Sequence, residues 1–143
     1  MRNLENGAAW AALPLAALCV LATAAPASAD VRKGDDYVDI WTEGNFGVRI
    51  CGATITVRSS DGYVKGGFSS FQPYSISCKG WLERKTYNTD GTVKQNWTKV
   101  TNFYFVNNSH DESGYHWNGT NAGTRICMQV IDTGEKACSY GIW

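Results

Sequence analysis

The chain reads as an all-β protein, a small antiparallel β-sandwich stabilised by two disulfides. Three observations lead there. From residue 30 onward Thr, Val, Ile, Tyr, Phe and Trp dominate, and no long stretch carries the three-to-four-residue apolar repeat of an amphipathic helix. Turn signals recur at short intervals, at Glu43-Gly44-Asn45, Asp61-Gly62, Asp90-Gly91, Asp111 to Gly114 and Thr133-Gly134. Finally, four of the five cysteines lie beyond an N-terminal leader, an even set suited to disulfides.

The leader spans residues 1–29. Arg2 is its only basic side chain, an apolar run extends from Ala8 to about Ala25, and Pro26-Ala27-Ser28-Ala29 places small residues where a signal peptidase reads them. Cleavage is therefore expected before Asp30. The run is nearly long enough to span a bilayer, but the Ala-x-Ala end and the missing basic flank favour removal. Cys19 follows Leu18 rather than the small residue a lipid attachment site requires. Removing 29 of 143 residues leaves 114, which suits one secreted, extracellular domain at 30–143. Without Arg2 and Glu5 the charges balance, 12 basic against 12 acidic. A neutral chain with no basic run gives no electrostatic reason to expect nucleic acid or a membrane surface as partner.

Alternation between turn signals predicts strands at 37–42, 46–58, 63–68, 72–78, 81–88, 92–100, 101–107, 115–118, 124–131 and 135–142. Two packed sheets bury that many short strands. Among the bulky aromatics, Trp41, Phe103, Phe105 and Trp143 are assigned to the core. The ribbon around Asp90-Gly91 is expected to carry Trp81, Glu83, Lys85 and Tyr87 on one face. Leu82, Arg84, Thr86 and Trp97 fall on the other, with Arg84 opposite Trp97 as a cation–π pair. Neither face is a continuous apolar stripe, so the tip of this ribbon should lie in solvent.

Four cysteines allow three pairings. Cys51–Cys78 and Cys127–Cys138 are favoured because each pair is local and flanks turns. If Thr133-Gly134 is a two-residue loop, Ile126, Met128 and Val130 share one face. Cys127 and Cys138 then lie diagonally on the other, so bridging them calls for a twist or bulge. A faint echo between Gly47-Val48-Arg49-Ile50-Cys51 and Gly123-Thr124-Arg125-Ile126-Cys127 suggests two equivalent strand pairs, each with its own staple.

Chemistry-bearing residues are few. The two histidines, His110 and His116, lie in one segment. Ser109, His110 and Asp111 are consecutive, and a working triad needs the two imidazole nitrogens aimed at different partners, which neighbours rarely achieve. His110, His116 and Asp111 or Glu112 lack diagnostic metal spacing. The acidic cluster Asp30, Asp35, Asp36, Asp39 and Glu43 lacks the spacing of a calcium loop and reads as a solvated N-terminus. No catalytic residue, metal or cofactor is expected. The stronger signal is aromatic: Trp81, Tyr87, Trp97, Tyr115 and Trp117 sit among Asn, Lys, Thr and Gly. Flat rings beside amide and hydroxyl groups suit sugar recognition or a protein hot spot. The expected function is a secreted, non-catalytic module binding an extracellular glycan or protein. The alternatives are an inhibitor or toxin acting on another extracellular protein and, less favoured, a small hydrolase.

Overall fold

A computed structural model describes residues 29–42, 47–71 and 76–143. The expected leader up to Ser28, the turn at Glu43-Gly44-Asn45 and the start of the 72–78 strand lie outside these residues. Ten strands follow in order: β1 (Asp30–Lys33), β2 (Tyr37–Trp41), β3 (Arg49–Val57), β4 (Val64–Ser70), β5 (Ser77–Tyr87), β6 (Val93–Lys99), β7 (Tyr104–Asn107), β8 (His110–Glu112), β9 (Ala122–Val130) and β10 (Lys136–Cys138). They form two antiparallel sheets and no helix among the described residues. One sheet runs β1-β2-β3-β4-β8; the other runs β10-β9-β5-β6, with β7 also pairing β5.

Alternation along the strands builds most of the core. Val38, Ile40, Cys51, Ala53, Ile55, Val64 and Phe68 of the first sheet meet Cys78, Leu82, Val106, Ile126, Met128 and Val130 of the second. Phe68, the bulkiest fully buried side chain among the described residues, fits because two glycines make room for it. A Cβ on Gly80 would stand 2.1 Å from its ring and one on Gly66 2.8 Å. Tyr104 stacks on the same ring at 5.0 Å between centroids.

Both favoured disulfides are present, in different roles. Cys51–Cys78 joins core-facing positions of β3 and β5 and ties the two sheets together. Cys127–Cys138 links adjacent strands on the outer face of the second sheet. The two halves are therefore not equivalent stapled pairs, as the sequence echo suggested. In the first half Cys51 faces the core, whereas in the second Ile126 does and Cys127 points away.

The last hairpin also departs from expectation. Its loop is Ile131 to Gly134, closed by Gly134 N–H donating to Val130 O and by Gly134 at φ 75°. The longer loop moves the register by two residues. That keeps each side chain on its expected face and sets Cys127 directly opposite Cys138, with Cα atoms 4.0 Å apart. No bulge is needed.

Other differences follow from pairing. The expected 81–88 strand continues back to Ser77 as one strand, because β9 pairs with β5 from Cys78 to Thr86. Asp30 to Lys33 form an edge strand on β2 rather than a solvated tail, and His110–Glu112 add an unexpected edge to β4. The 115–118 strand reduces to one bridge between His116 and Val64. Three of the aromatics assigned to the core are on the surface: Phe103, Phe105 and Trp143 are 40%, 65% and 67% exposed. Trp41 is half-buried under Arg32. The reason for the two phenylalanines is register. β7 sets Tyr104 opposite Gly80 and Val106 opposite Cys78, both core positions, so Phe103 and Phe105 turn outward.

Candidate functional site: an aromatic and cationic sheet face

The outer face of the second sheet is built around β5, whose outward positions are Lys79, Trp81, Glu83, Lys85 and Tyr87. Their partners on β9 are Gln129, Cys127, Arg125 and Gly123 from Lys79 to Lys85. On the other side, β6 enters in register Glu83 to Lys99 and Arg84 to Thr98, then shifts twice before Tyr87 meets Val93. These irregularities correct the expected ribbon. Thr98, not Trp97, faces Arg84, and Trp97 moves to the face of Trp81 and Tyr87. The cation over Trp97 is Arg125, 4.6 Å from the ring centroid, while Arg84 lies over Trp117 at 5.6 Å. Asn88 to Asn96 at the ribbon tip are exposed, as expected.

Two aromatic clusters result, one toward each end of β5. Phe105 packs on Phe103, Phe103 meets Trp81 edge-on at 5.2 Å, and further along Trp97 meets Trp143 at 5.7 Å and Trp143 meets Tyr87 at 5.3 Å. Trp143 lies flat on the sheet because its β9 neighbour is Gly123, where a Cβ would stand 2.3 Å from the indole. At this end the surface opens into a groove of about 330 Å³, lined by Tyr87, Asn88, Thr89, Asn121 and Trp143 among others. The turn carrying Gly119 (φ 82°) and Asn121 (φ 57°) brings the Asn121 wall up to Tyr87, whose N–H donates to Asn121 O.

Glu83 organises the middle of the face. Its carboxylate accepts from Trp81 Nε1 at 2.8 Å and from Arg125 at 2.6 and 2.8 Å, with Lys136 Nζ at 3.6 Å. Burial works against its charge, but the bonds from Trp81 and Arg125 and the charges of Arg125 and Lys136 outweigh it. The carboxyl is held below its ordinary value.

The five aromatic candidates divide. Trp81, Tyr87 and Trp97 share this face, although Trp81 is only 5% exposed and supports its neighbours more than it offers a surface. Tyr115 and Trp117 lie elsewhere: Tyr115 packs against Arg58 and Lys65 beside β4, and Trp117 packs on Gly119 and Arg84. Sequence reasoning missed Trp143, Asn88, Thr89 and Asn121. The one available signal was the Asn118-Gly119-Thr120-Asn121 run, a turn signature just ahead of β9.

The histidine segment takes a different form from either expectation weighed for it. His110 Nδ1 is 2.8 Å from Ser69 Oγ on the adjacent strand, and its Nε2 is 3.6 Å from Glu112, which is itself paired with Lys65 at 2.7 Å. Ser109 Oγ instead accepts from Asn107 N–H. This string lies on an open sheet edge, with His110 and Glu112 side chains 56% and 49% exposed. His116 is partly enclosed near Arg84; burial first, then that guanidinium, lowers its pKa. Among the described residues, the one group of three His, Cys, Asp or Glu side chains close enough to share an ion is Glu83, Cys127 and Cys138. Its sulfurs are already joined in a disulfide.

The disulfides indicate an oxidising environment. No helix of the described residues is long and apolar enough to cross a membrane. Compared with protein-family models, curated proteins and solved structures, the chain matches none.

Proposed function

We propose that the chain is exported with loss of residues 1–29 and acts as a non-catalytic module that binds an extracellular glycan in the groove beside Tyr87 and Trp143. One observation carries this reading. Two adjoining rings, one laid flat on the sheet, wall a groove that is also lined by Asn88, Thr89 and Asn121. The rings offer an apolar platform to the C–H face of a sugar, and amides and a hydroxyl suit its hydroxyl groups. The disulfides support export, because such bonds persist outside the reducing cytosol.

Retention on insoluble polysaccharides and binding to a glycan array test the proposal. Trp143→Ala or Tyr87→Ala should weaken binding roughly 30-fold, the effect of losing about 2 kcal/mol at an aromatic hot spot. Tyr115→Ala, at a ring that packs on Arg58 and Lys65 beside β4 of the other sheet, should leave binding unchanged. No retention on any glycan, or equal loss at Tyr115, refutes the site. A protein partner is the second reading, favoured by exposed Phe103 and Phe105 at the opposite end of the face. It requires a stable complex with a secreted protein that Phe105→Ala disrupts.

A further inference from the structure

The chain as a whole is neutral, with 13 basic and 13 acidic side chains. The outer face of the second sheet is not. Its outward strand positions carry Lys79, Lys85, Lys99, Arg125 and Lys136 against one carboxylate, Glu83. Arg125 is engaged by that carboxylate through two hydrogen bonds, which leaves four lysines. Each lies over an aromatic ring, and Lys79, Lys85 and Lys99 have no carboxylate at ion-pair distance among the described residues. Lys79 and Lys99 lie 5.0 and 3.8 Å from the Phe103 ring centroid, Lys136 4.8 Å from Trp81, and Lys85 5.3 Å from Tyr87. Lys136 alone also approaches Glu83, at 3.6 Å.

We propose that the ligand of this face is an anionic polysaccharide, one whose sugars carry carboxylate or sulfate groups at regular intervals. The inference rests on the glycan reading of the groove and extends it along β5. From Tyr87 to Lys79 the strand covers eight residue steps, roughly 26 Å, enough for an extended oligosaccharide rather than a single sugar. Exposed rings stand at the two ends of that distance, Phe103 and Phe105 at one and Trp143 at the other, and the ammonium groups are spread between them. A chain with one sugar in the groove thus meets positive charge and then a second apolar platform as it runs toward Phe103. The same features would attract a nucleic acid less well. Nucleic-acid affinity rests on neutralising closely spaced phosphates, and this chain is neutral overall with no basic run.

The test uses the oxidised chain with polygalacturonate, its methyl ester, dextran sulfate, neutral dextran and a single-stranded oligonucleotide as probes. Polygalacturonate or dextran sulfate should bind at least tenfold tighter than its uncharged counterpart, and which of them does so identifies the anionic group. Raising NaCl from about 50 to about 300 mM should weaken that binding roughly tenfold, as expected when about two anionic groups of the ligand are neutralised at about 0.7 counterion each. Replacing Lys79, Lys85 and Lys99 together by Gln should remove both the preference and the salt dependence, and replacing them by Arg should retain both. Equal binding of charged and uncharged forms, lost in Trp143→Ala, overturns this inference and leaves the groove reading intact. Tighter binding of the oligonucleotide than of either polysaccharide overturns it in favour of a nucleic-acid partner. No retention of any polysaccharide overturns both readings.

Discussion

Gly80 is the position where a single methyl group should do most damage. It lies buried in the middle of β5, between β9 and β7, and faces the core. A Cβ there would stand 2.1 Å from Phe68 Cδ1, 2.7 Å from Cε1 and 2.9 Å from Met128 Sδ. To reach an ordinary contact of 3.4 Å the ring must move by roughly 1.3 Å. It has little freedom to do so, because Tyr104 stacks on it and Gly66 leaves space only for the ring as it stands. Overpacking of this kind costs about 1–3 kcal/mol, and confinement of an aromatic ring argues for the upper half, about 2–3 kcal/mol. For a domain of this size that lowers Tm by roughly 10 °C. The sign is diagnostic. Relief of glycine's backbone entropy alone would make alanine stabilising by about 0.5–1 kcal/mol. Urea unfolding of oxidised Gly80→Ala, followed by tryptophan fluorescence and circular dichroism, measures the difference. Phe68→Leu in the same background should recover at least about 1 kcal/mol relative to additivity, since the two residues share one space. A Gly80→Ala protein as stable as the parent, or strictly additive changes, would refute the packing argument.

Three further outcomes follow from the structure. Replacing Cys51 and Cys78 together by Ala should cost about 3.5 kcal/mol and replacing Cys127 and Cys138 about 3 kcal/mol, from loops of sequence separation 27 and 11; equilibrium unfolding checks both. Glu83→Gln should destabilise by about 2 kcal/mol at neutral pH, because Trp81, Arg125 and Lys136 lose their charged acceptor. The Glu83 carboxyl is lowered in the fold, so its contribution is complete above the ordinary glutamate range and is lost as pH falls through the lowered value. Stability–pH curves of parent and variant should therefore converge in acid. His116 is also lowered, and the unfolded chain takes up its proton first as pH falls. The parent should lose stability from the ordinary histidine range down to the folded value, and His116→Gln should flatten that limb.

Much of the architecture was legible because it depends on local chemistry. Alternation of β-branched and aromatic residues between turn signals indicates strands wherever they pair, and an even set of four cysteines beyond residue 29 suits disulfides. The turns at Asp61-Gly62 and Asp90-Gly91 have their glycines at φ 71° and 82°, the left-handed backbone that those dipeptides favour. Burial was less legible. Phe103 and Phe105 read as core from their size, yet their facing depends on which residue of β5 each β7 residue opposes.

The sequence by itself determined the fold class, an even set of cysteines suited to disulfides and the wealth of aromatic side chains, since each follows from residue type and short-range spacing. Only the tertiary structure decided which aromatics act together. A shift in the β5–β6 register turned Trp97 toward Tyr87, and Gly123 gave Trp143 a flat seat beside them. The same pairing gathered four lysines onto one face of a neutral chain, with Lys136 alone near a carboxylate, that of Glu83. In a strand a displacement of one residue reverses every side chain, and that displacement is set by bulges and loop lengths that no local motif specifies.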